Sequence, residues 1–155
     1  MSVVYCLASS LYTQFPATLK GRHMQVEEVV TFAPGNAYAS APPPLEVVLG
    51  VFLSLGPRLM ISAARLQRIA GSDLSGVDEL ADGPRAVLSM HLIECIQTAA
   101  LAERLFGENG AVSWWHQEHF GLPCRGRRPL EMLESSEGIR AAKAHLSGFA
   151  LSQPN

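Results

Sequence analysis

The segment from Pro84 to Phe106 constrains the fold most, because its apolar residues recur at spacings of three and four and so share one helical face. The residues on that face are Leu88, Leu92, Cys95, Ile96, Ala99, Ala102 and Phe106. The other side of the same helix also carries apolar residues, namely Met90, Ile93 and Leu101. A helix that is apolar on two sides is usually buried on two sides. The pattern therefore predicts a long helix, opened by Pro84 and ended by Gly107, inside a bundle or across a dimer contact.

Shorter helices are predicted on both sides of this one. Before it lie Leu45 to Leu55, which ends at Gly56-Pro57, then Met60 to Ala70, and a short broken segment from Leu74 to Leu80. After it come a helix from Asn109 to about His119, a helical turn opened by Pro129, and a last helix that Ser135 or Ser136 caps and Gly148 ends. The predicted fold class is all-α, with a helix-turn-helix-like bundle followed by a compact domain of short helices.

The first 44 residues give weaker signals and are predicted to be a poorly ordered N-terminal segment. Val26 to Phe32 is β-branched enough to be a short strand. The three consecutive prolines at 42–44 favour an extended, stiff spacer. Met24 is a possible alternative translation start, which the sequence leaves open. The predicted division is residues 1–44, a helix-turn-helix-like region at 45–86, and a C-terminal domain at 87–155.

Composition limits the classes of function. The net charge is −2 and 48% of the residues are apolar, which fits a packed domain better than a general nucleic-acid binder. Three widely spaced cysteines do not resemble a secreted disulfide framework. The longest apolar run, Val47 to Leu55, is far shorter than the roughly 20 residues of a membrane span. The start of the chain lacks the basic region of a signal peptide, so we expect a cytoplasmic protein without membrane association.

Motifs that carry catalysis are missing from the sequence. There is no G-x-S-x-G, P-loop or G-x-G-x-x-G pattern, and the acidic residues are scattered. A nucleophile built from Cys124 and His119 would lack a third group to orient it. His116, His119 and Cys124 lack the fourth ligand and the tight spacing of a zinc site. We therefore expect a binding protein without a cofactor, and keep a metal-responsive sensor as a distant alternative.

A second alternative is a DNA-binding regulator. A helix-turn-helix would fall between Met60 and Leu80, where Arg65 and Arg68 are the residues available for DNA contact. The presumed recognition segment, Ser72 to Leu80, has three acidic residues and no lysine or arginine. Acidic residues there repel phosphates. The region is therefore interpreted as a degenerate helix-turn-helix core kept for folding and dimerisation.

Four ordered motifs in the last third of the chain carry a resemblance to a known family. They are AERLFG at 102–107, AVSWW at 111–115, GRRPLEML at 126–133 and SSEG at 135–138. Together they resemble the toxin-binding C-terminal domain of the Xre/MbcA/ParS antitoxins, whose pattern is a Trp-bearing helix, "GGRxPLxLL", a short gap and "xEG". Arg125 stands where the family often has the first glycine of that run, and the loop from His116 to Cys124 lacks the family's usual Pro-Asn.

The resemblance implies an antitoxin of a type II toxin–antitoxin system. Its partner would be a RES-domain toxin that consumes NAD or transfers ADP-ribose, and the C-terminal domain would cover the toxin's NAD pocket. The upstream helices would form a homodimer and, in many relatives, bind operator DNA. The runner-up interpretation is a stand-alone Xre-like transcriptional regulator.

The predicted toxin-binding residues are those of types enriched at interfaces. They are Trp114, Trp115, Arg125, Arg127, Arg128, Met132 and Phe149. Because Trp114 and Trp115 are adjacent on a helix, we expect one of them in the core and the other free for contact. Arg127 and Arg128 are able to bind carboxylates of a partner in a forked geometry. The tail from Phe149 to Asn155 is predicted to be mobile enough to enter a cleft.

Overall fold

The computed structural model describes residues 29–30, 42–71, 74–121 and 124–152. The fold is all-α, as predicted. The helices are α1 (Leu45–Arg58), α2 (Ala63–Ala70), a 3-10 helix (Leu74–Glu79), α3 (Asp82–His116), α4 (Pro129–Met132) and α5 (Ser136–Ser152). Within these described ranges, the strand-like pairing consists of one isolated antiparallel bridge between His119 and Arg127. No helix in the described part is long and apolar enough to cross a membrane.

Helix α3 is the centre of the fold, and it packs against both α1 and α5. Leu92 on its main apolar face and Ile93 on the second side are both fully buried. The prediction that this helix is buried on two sides is therefore confirmed. Cys95 is also a core residue, whereas His91 is half-buried, with its Nε2 atom 2.6 Å from the carbonyl oxygen of Ile69.

A sharp change of direction divides α3 at Gly107. The backbone there has φ 71° and ψ 174°, a conformation that is essentially restricted to glycine. The predicted break at Gly107 is confirmed. The helix resumes directly after it and ends at His116, three residues earlier than expected. The kink carries Trp114 and Trp115 back towards the core.

Two glycines that were interpreted as helix ends lie inside helices. Helix α1 continues through Gly56 and Pro57 to Arg58, and a Cβ on Gly56 would lie 3.0 Å from the Cδ1 atom of Leu66. Gly56 thus allows close packing of α2. Pro57 lacks the N–H group that would donate to the carbonyl of Leu53, and α1 ends one residue after it. Helix α5 likewise continues past Gly148 to Ser152.

The N-terminal segment contributes to the core at one described point. Val29 and Val30 are helical, so the predicted strand is wrong there. Val29 is fully buried, and the Nε2 atom of Gln97 donates a hydrogen bond to its carbonyl oxygen at 3.3 Å. Met24 and most of residues 1–41 lie outside the described residues.

A single hydrophobic core joins the regions that were predicted as separate. The predicted boundary between residues 86 and 87 falls inside the first turns of α3. Buried residues on both sides of it belong to one continuous cluster, from Leu45 on α1 to Leu146 on α5. The C-terminal elements are therefore positioned directly by α3.

Candidate protein-binding site

The connection between α3 and α4 forms a compact loop, which we call the arginine loop and define as residues 119–121 and 124–128. The Gly126 amide donates to the carbonyl of His119 at 2.8 Å, and the His119 amide donates to the carbonyl of Arg127 at 3.3 Å. The Arg125 amide donates to the carbonyl of Gly121 at 3.0 Å. These bonds join the described residues of the loop to one another, which lowers the entropy cost of binding.

Two consecutive residues of the arginine loop have left-handed backbone conformations. Arg125 has φ 53° and Gly126 has φ 80°. Glycine adopts such angles freely, whereas a residue with a Cβ is strained there. This turn reverses the chain and leaves the side chains of Arg125, Arg127 and Arg128 exposed.

The arginine loop also presents an exposed aromatic ring that sequence analysis did not select. Phe120 is 81% exposed, and its ring lies over Gly126, where a Cβ would be 3.5 Å from the Cδ1 atom of Phe120. Periodicity did not identify Phe120 because exposure in an irregular loop has no repeat. The available signal was an aromatic residue close to three arginines.

Three of the residues predicted to contact a partner belong to the core. Trp114 and Trp115 are both buried, so the expectation that one indole would be free is wrong. Adjacent residues on a helix do point in different directions, but both directions are covered: Trp115 by the core, and Trp114 by His119 and His145. Met132, the last residue of α4, is only 1% exposed. These side chains support the site and do not form its surface.

An aromatic cluster connects the arginine loop to α5. The ring of Trp114 lies 5.4 Å from that of His119, which lies 5.2 Å from that of His145. The chain of contacts continues from His145 to Phe149 at 5.0 Å and from Phe149 to Phe106 at 5.4 Å. Phe149, the predicted contact residue of the tail, is thus a partly exposed member of α5 that packs against α3.

The arginines of the loop differ from those of α2 in their electrostatic environment. The Nε atoms of Arg65 and Arg68, the predicted DNA contacts, lie 3.2 and 3.5 Å from the same carboxylate oxygen of Glu134. Arg125, Arg127 and Arg128 have no ion-pair partner among the described residues. The arginine loop therefore carries three positive charges that no described carboxylate pairs with.

The residues considered for metal binding and nucleophilic catalysis have structural contacts. His116 and His119 place their Nε2 atoms 2.9 Å from the carbonyl oxygen of Leu59 and 3.0 Å from that of Trp114. Burial raises the pKa of the Cys124 thiol, and the nearby charge of Arg127 only partly opposes this, so the reactive thiolate is disfavoured. Among the residues that the structure describes, no three His, Cys, Asp or Glu side chains are grouped to hold a metal ion.

A groove lies between α2, α3 and α5. It is an open groove of about 1080 Å³ between the end of α2, the first turns of α3 and the start of α5. Its apolar lining includes Leu80, Val87 and Met90, and its polar lining includes Glu94 and Arg140. Neither Glu94 nor Arg140 has an ion-pair partner within the described ranges.

Comparison of this chain with protein-family models, with curated proteins and with solved structures finds no match.

Proposed function

We propose that this chain is an antitoxin of the Xre/MbcA/ParS type, which neutralises a RES-domain toxin in the cytoplasm by binding over the toxin's active site. It acts by binding alone, with no chemistry or cofactor of its own. The surface that makes the contact is the arginine loop, together with the exposed edge of Phe149. Trp114, Trp115 and Met132 hold that surface in place from beneath.

The observation that carries this proposal is that the backbone favours glycine at three positions where the family pattern has a glycine. The family pattern begins its central motif with two glycines, and the corresponding residues here, Arg125 and Gly126, both have left-handed backbones. The pattern later has a glycine in "xEG", and the corresponding Gly138 lies so close to the Met132 carbonyl that a Cβ would be 1.9 Å from its oxygen. If the sequence similarity arose by chance, the glycine positions of the family pattern would not be expected to fall on three positions where the backbone disfavours a side chain.

The charge of the arginine loop supports a protein partner with exposed carboxylates. A guanidinium binds a carboxylate through two parallel hydrogen bonds, which gives both affinity and orientation. Arg127 and Arg128 are exposed and have no ion-pair partner in the described part of the chain, so binding does not first have to break an internal ion pair.

The direct test is neutralisation in cells that express a RES-domain protein encoded next to this gene. We expect growth arrest by the toxin alone, rescue by the wild-type chain, and loss of rescue with R127E/R128E. The matched control is R104E/K143E, which makes the same change in net charge at two exposed positions outside the loop. Arrest that the wild-type chain fails to relieve would reject the proposed function.

The role of the tail is tested separately, because Phe149 to Ser152 are helical. Residues 153–155 lie outside the described ranges. Deletion of residues 150–155 leaves Phe149 in place, whereas deletion of residues 149–155 removes it. If the exposed edge of Phe149 contributes to the contact, only the second deletion weakens rescue, and equal rescue by both removes the tail and Phe149 from the interface.

We further propose that the antitoxin is a homodimer whose contact is the groove on α3. An interface between identical copies must be self-complementary. Glu94 and Arg140 offer an opposite pair of charges on the same apolar groove. E94R is then expected to give monomers in analytical ultracentrifugation, and E94R/R140E to restore the dimer. A wild-type monomer at high concentration would remove this part of the proposal.

The runner-up function, a stand-alone DNA-binding regulator, is less well supported because Glu134 neutralises part of the charge of Arg65 and Arg68. If DNA binding through α2 is a separate activity, R65E/R68E abolishes an operator mobility shift while rescue from the toxin persists. No shift by the wild-type chain at low salt would reject the regulator.

A further inference from the structure

We propose that Phe120 is the anchor of the interface and that it inserts into an apolar pocket of the toxin whose rim carries carboxylates. This inference rests on the proposed function and extends it, because it assigns the central contact to a residue that the sequence motifs do not include. It also states the chemistry of the surface that the partner must provide.

The first argument is the exposure of the Phe120 ring on a hydrogen-bonded loop. Its ring is 81% exposed on a loop that backbone hydrogen bonds hold in place. Single exposed apolar residues are common on protein surfaces. Phe120 differs because backbone hydrogen bonds join the residues on both sides of it, and its ring lies against Gly126, where a Cβ would be in van der Waals contact with the ring at 3.5 Å. The ring therefore projects from a backbone that is already hydrogen-bonded on both sides of it.

Preorganisation is what distinguishes an anchor from an incidental surface residue. A flexible side chain or loop loses conformational freedom on binding, and that loss opposes association. The bonds from the Gly126 amide to His119 and from the Arg125 amide to Gly121 have already fixed the backbone on both sides of Phe120. Less of the free energy gained by burying the ring is thus lost to ordering of the backbone.

The second argument is the charge that surrounds the ring. Arg125, Arg127 and Arg128 are exposed on the same loop and have no ion-pair partner among the described residues. A partner pocket that receives Phe120 must face these guanidinium groups, so its rim is expected to be acidic. Aromatic residues, phenylalanine among them, and arginine are enriched at protein interfaces.

The same residue types also occur in proteins that bind single-stranded nucleic acid, where aromatic rings stack on bases and cations track phosphates. Two features favour a protein partner here. The chain has a net charge of −2, and exposed carboxylates of Glu118 and Glu131 flank the loop in sequence. These carboxylates would repel a polyphosphate backbone but are compatible with a rim of a few acidic side chains.

The test measures the affinity of purified full-length variants for the RES-domain protein encoded next to this gene, by isothermal titration calorimetry. We expect F120A to weaken binding by about 30-fold or more, the size of effect seen for an interface anchor. F120L, which keeps an apolar side chain, should recover a large part of that loss. M60A is the matched control, because Met60 is 74% exposed but lies outside the arginine loop.

The outcomes separate this inference from the proposed function. If the wild-type chain and F120A bind the toxin equally well, the anchor is rejected and the antitoxin function stands. If the wild-type chain does not bind the toxin, both are rejected. Fluorescence polarisation with a mixed-sequence 20-mer of single-stranded DNA and of RNA completes the test: binding there that F120A abolishes would overturn the protein pocket in favour of nucleic acid. Unchanged thermal melting of F120A excludes misfolding as the cause of a loss.

Discussion

Gly138 packs directly against the backbone carbonyl of Met132, and this contact fixes the angle between α4 and α5. A Cβ on Gly138 would lie 1.9 Å from the Met132 oxygen and 2.7 Å from its carbonyl carbon. The first turn of α5 is held there by Ser135, whose Oγ atom accepts a hydrogen bond from the Gly138 amide at 3.1 Å. The cap and the close approach together place α5 against α3, where it completes the aromatic cluster beneath the arginine loop.

Replacement of Gly138 by alanine should therefore destabilise the protein strongly. The methyl group meets backbone atoms, which cannot rotate away, so we expect a loss of about 3 kcal/mol or more in the free energy of unfolding. The measurement is urea denaturation followed by circular dichroism. Gly148→Ala is the control on the same helix, since nothing lies within 4 Å of an added Cβ there. Alanine at 148 should be neutral or stabilise by up to about 1 kcal/mol. Equal effects of the two substitutions would contradict the close contact.

The parts of the fold that sequence predicted are those decided by local pattern. The repeat in α3 predicted its burial on two sides, because helical spacing alone determines which residues share a face. The glycines show the limit of this reasoning. Gly107 does break its helix, whereas Gly56 and Gly148 do not. The difference lies in tertiary contacts such as that of Gly56 with Leu66, which no local pattern encodes.

The same limit applies to the candidate site. The arginines were selected because arginine is enriched at protein interfaces, and a charged side chain in a loop is usually exposed. Trp114 and Trp115 were assigned in part to the surface because helical geometry separates adjacent residues, but it does not reveal that His145 of a distant helix covers one of them. Phe120 was not selected because its exposure depends on the hydrogen bonds of the loop, which the sequence does not reveal.

Substitution of Gly107 tests the effect of backbone strain on stability in the absence of a steric clash. Its φ of 71° and ψ of 174° suit glycine alone, yet nothing lies within 4 Å of an added Cβ. Gly107→Ala should therefore lower the free energy of unfolding by about 1–3 kcal/mol through the backbone alone. Gly83→Ala, in the open first turn of α3, is the control and should cost nothing. If Gly107→Ala melts at the wild-type temperature, the kink between the two parts of α3 is not a fixed feature of the fold.

Arg125 allows the stability and the function of the arginine loop to be separated. Because Arg125 has a left-handed backbone with φ 53°, glycine in its place relieves strain. Arg125→Gly should stabilise the protein by about 0.5–1 kcal/mol, since relief of roughly 1–2 kcal/mol of strain is partly offset by the extra freedom of glycine in the unfolded chain. The same substitution should weaken binding to the toxin, because it removes one of the three exposed guanidinium groups. Thermal melting and calorimetric titration of one protein sample check both expectations. A variant that is more stable and binds as tightly as wild type would remove Arg125 from the contact surface.

Because the thiol of Cys95 is buried, we expect the protein to lose stability at alkaline pH. Burial raises the pKa of its thiol far above the ordinary value, and the neighbouring charge of Glu94 adds to this effect. Above about pH 8.5 the unfolded chain releases the thiol proton while the folded chain keeps it, so the free energy of unfolding falls as pH rises. The contribution of one such thiol approaches about 1.4 kcal/mol per pH unit. Urea denaturation between pH 8 and 10 should therefore show a steeper decline for wild type than for Cys95→Ala, in which this proton is absent. The other titrating groups are common to both proteins and cancel in the difference.

Cys124→Ala should flatten the decline less, because Arg127 partly opposes the effect of burial on that thiol. Parallel declines for wild type and Cys95→Ala would show that the thiol at the centre of α3 ionises as readily in the folded protein as in the unfolded chain.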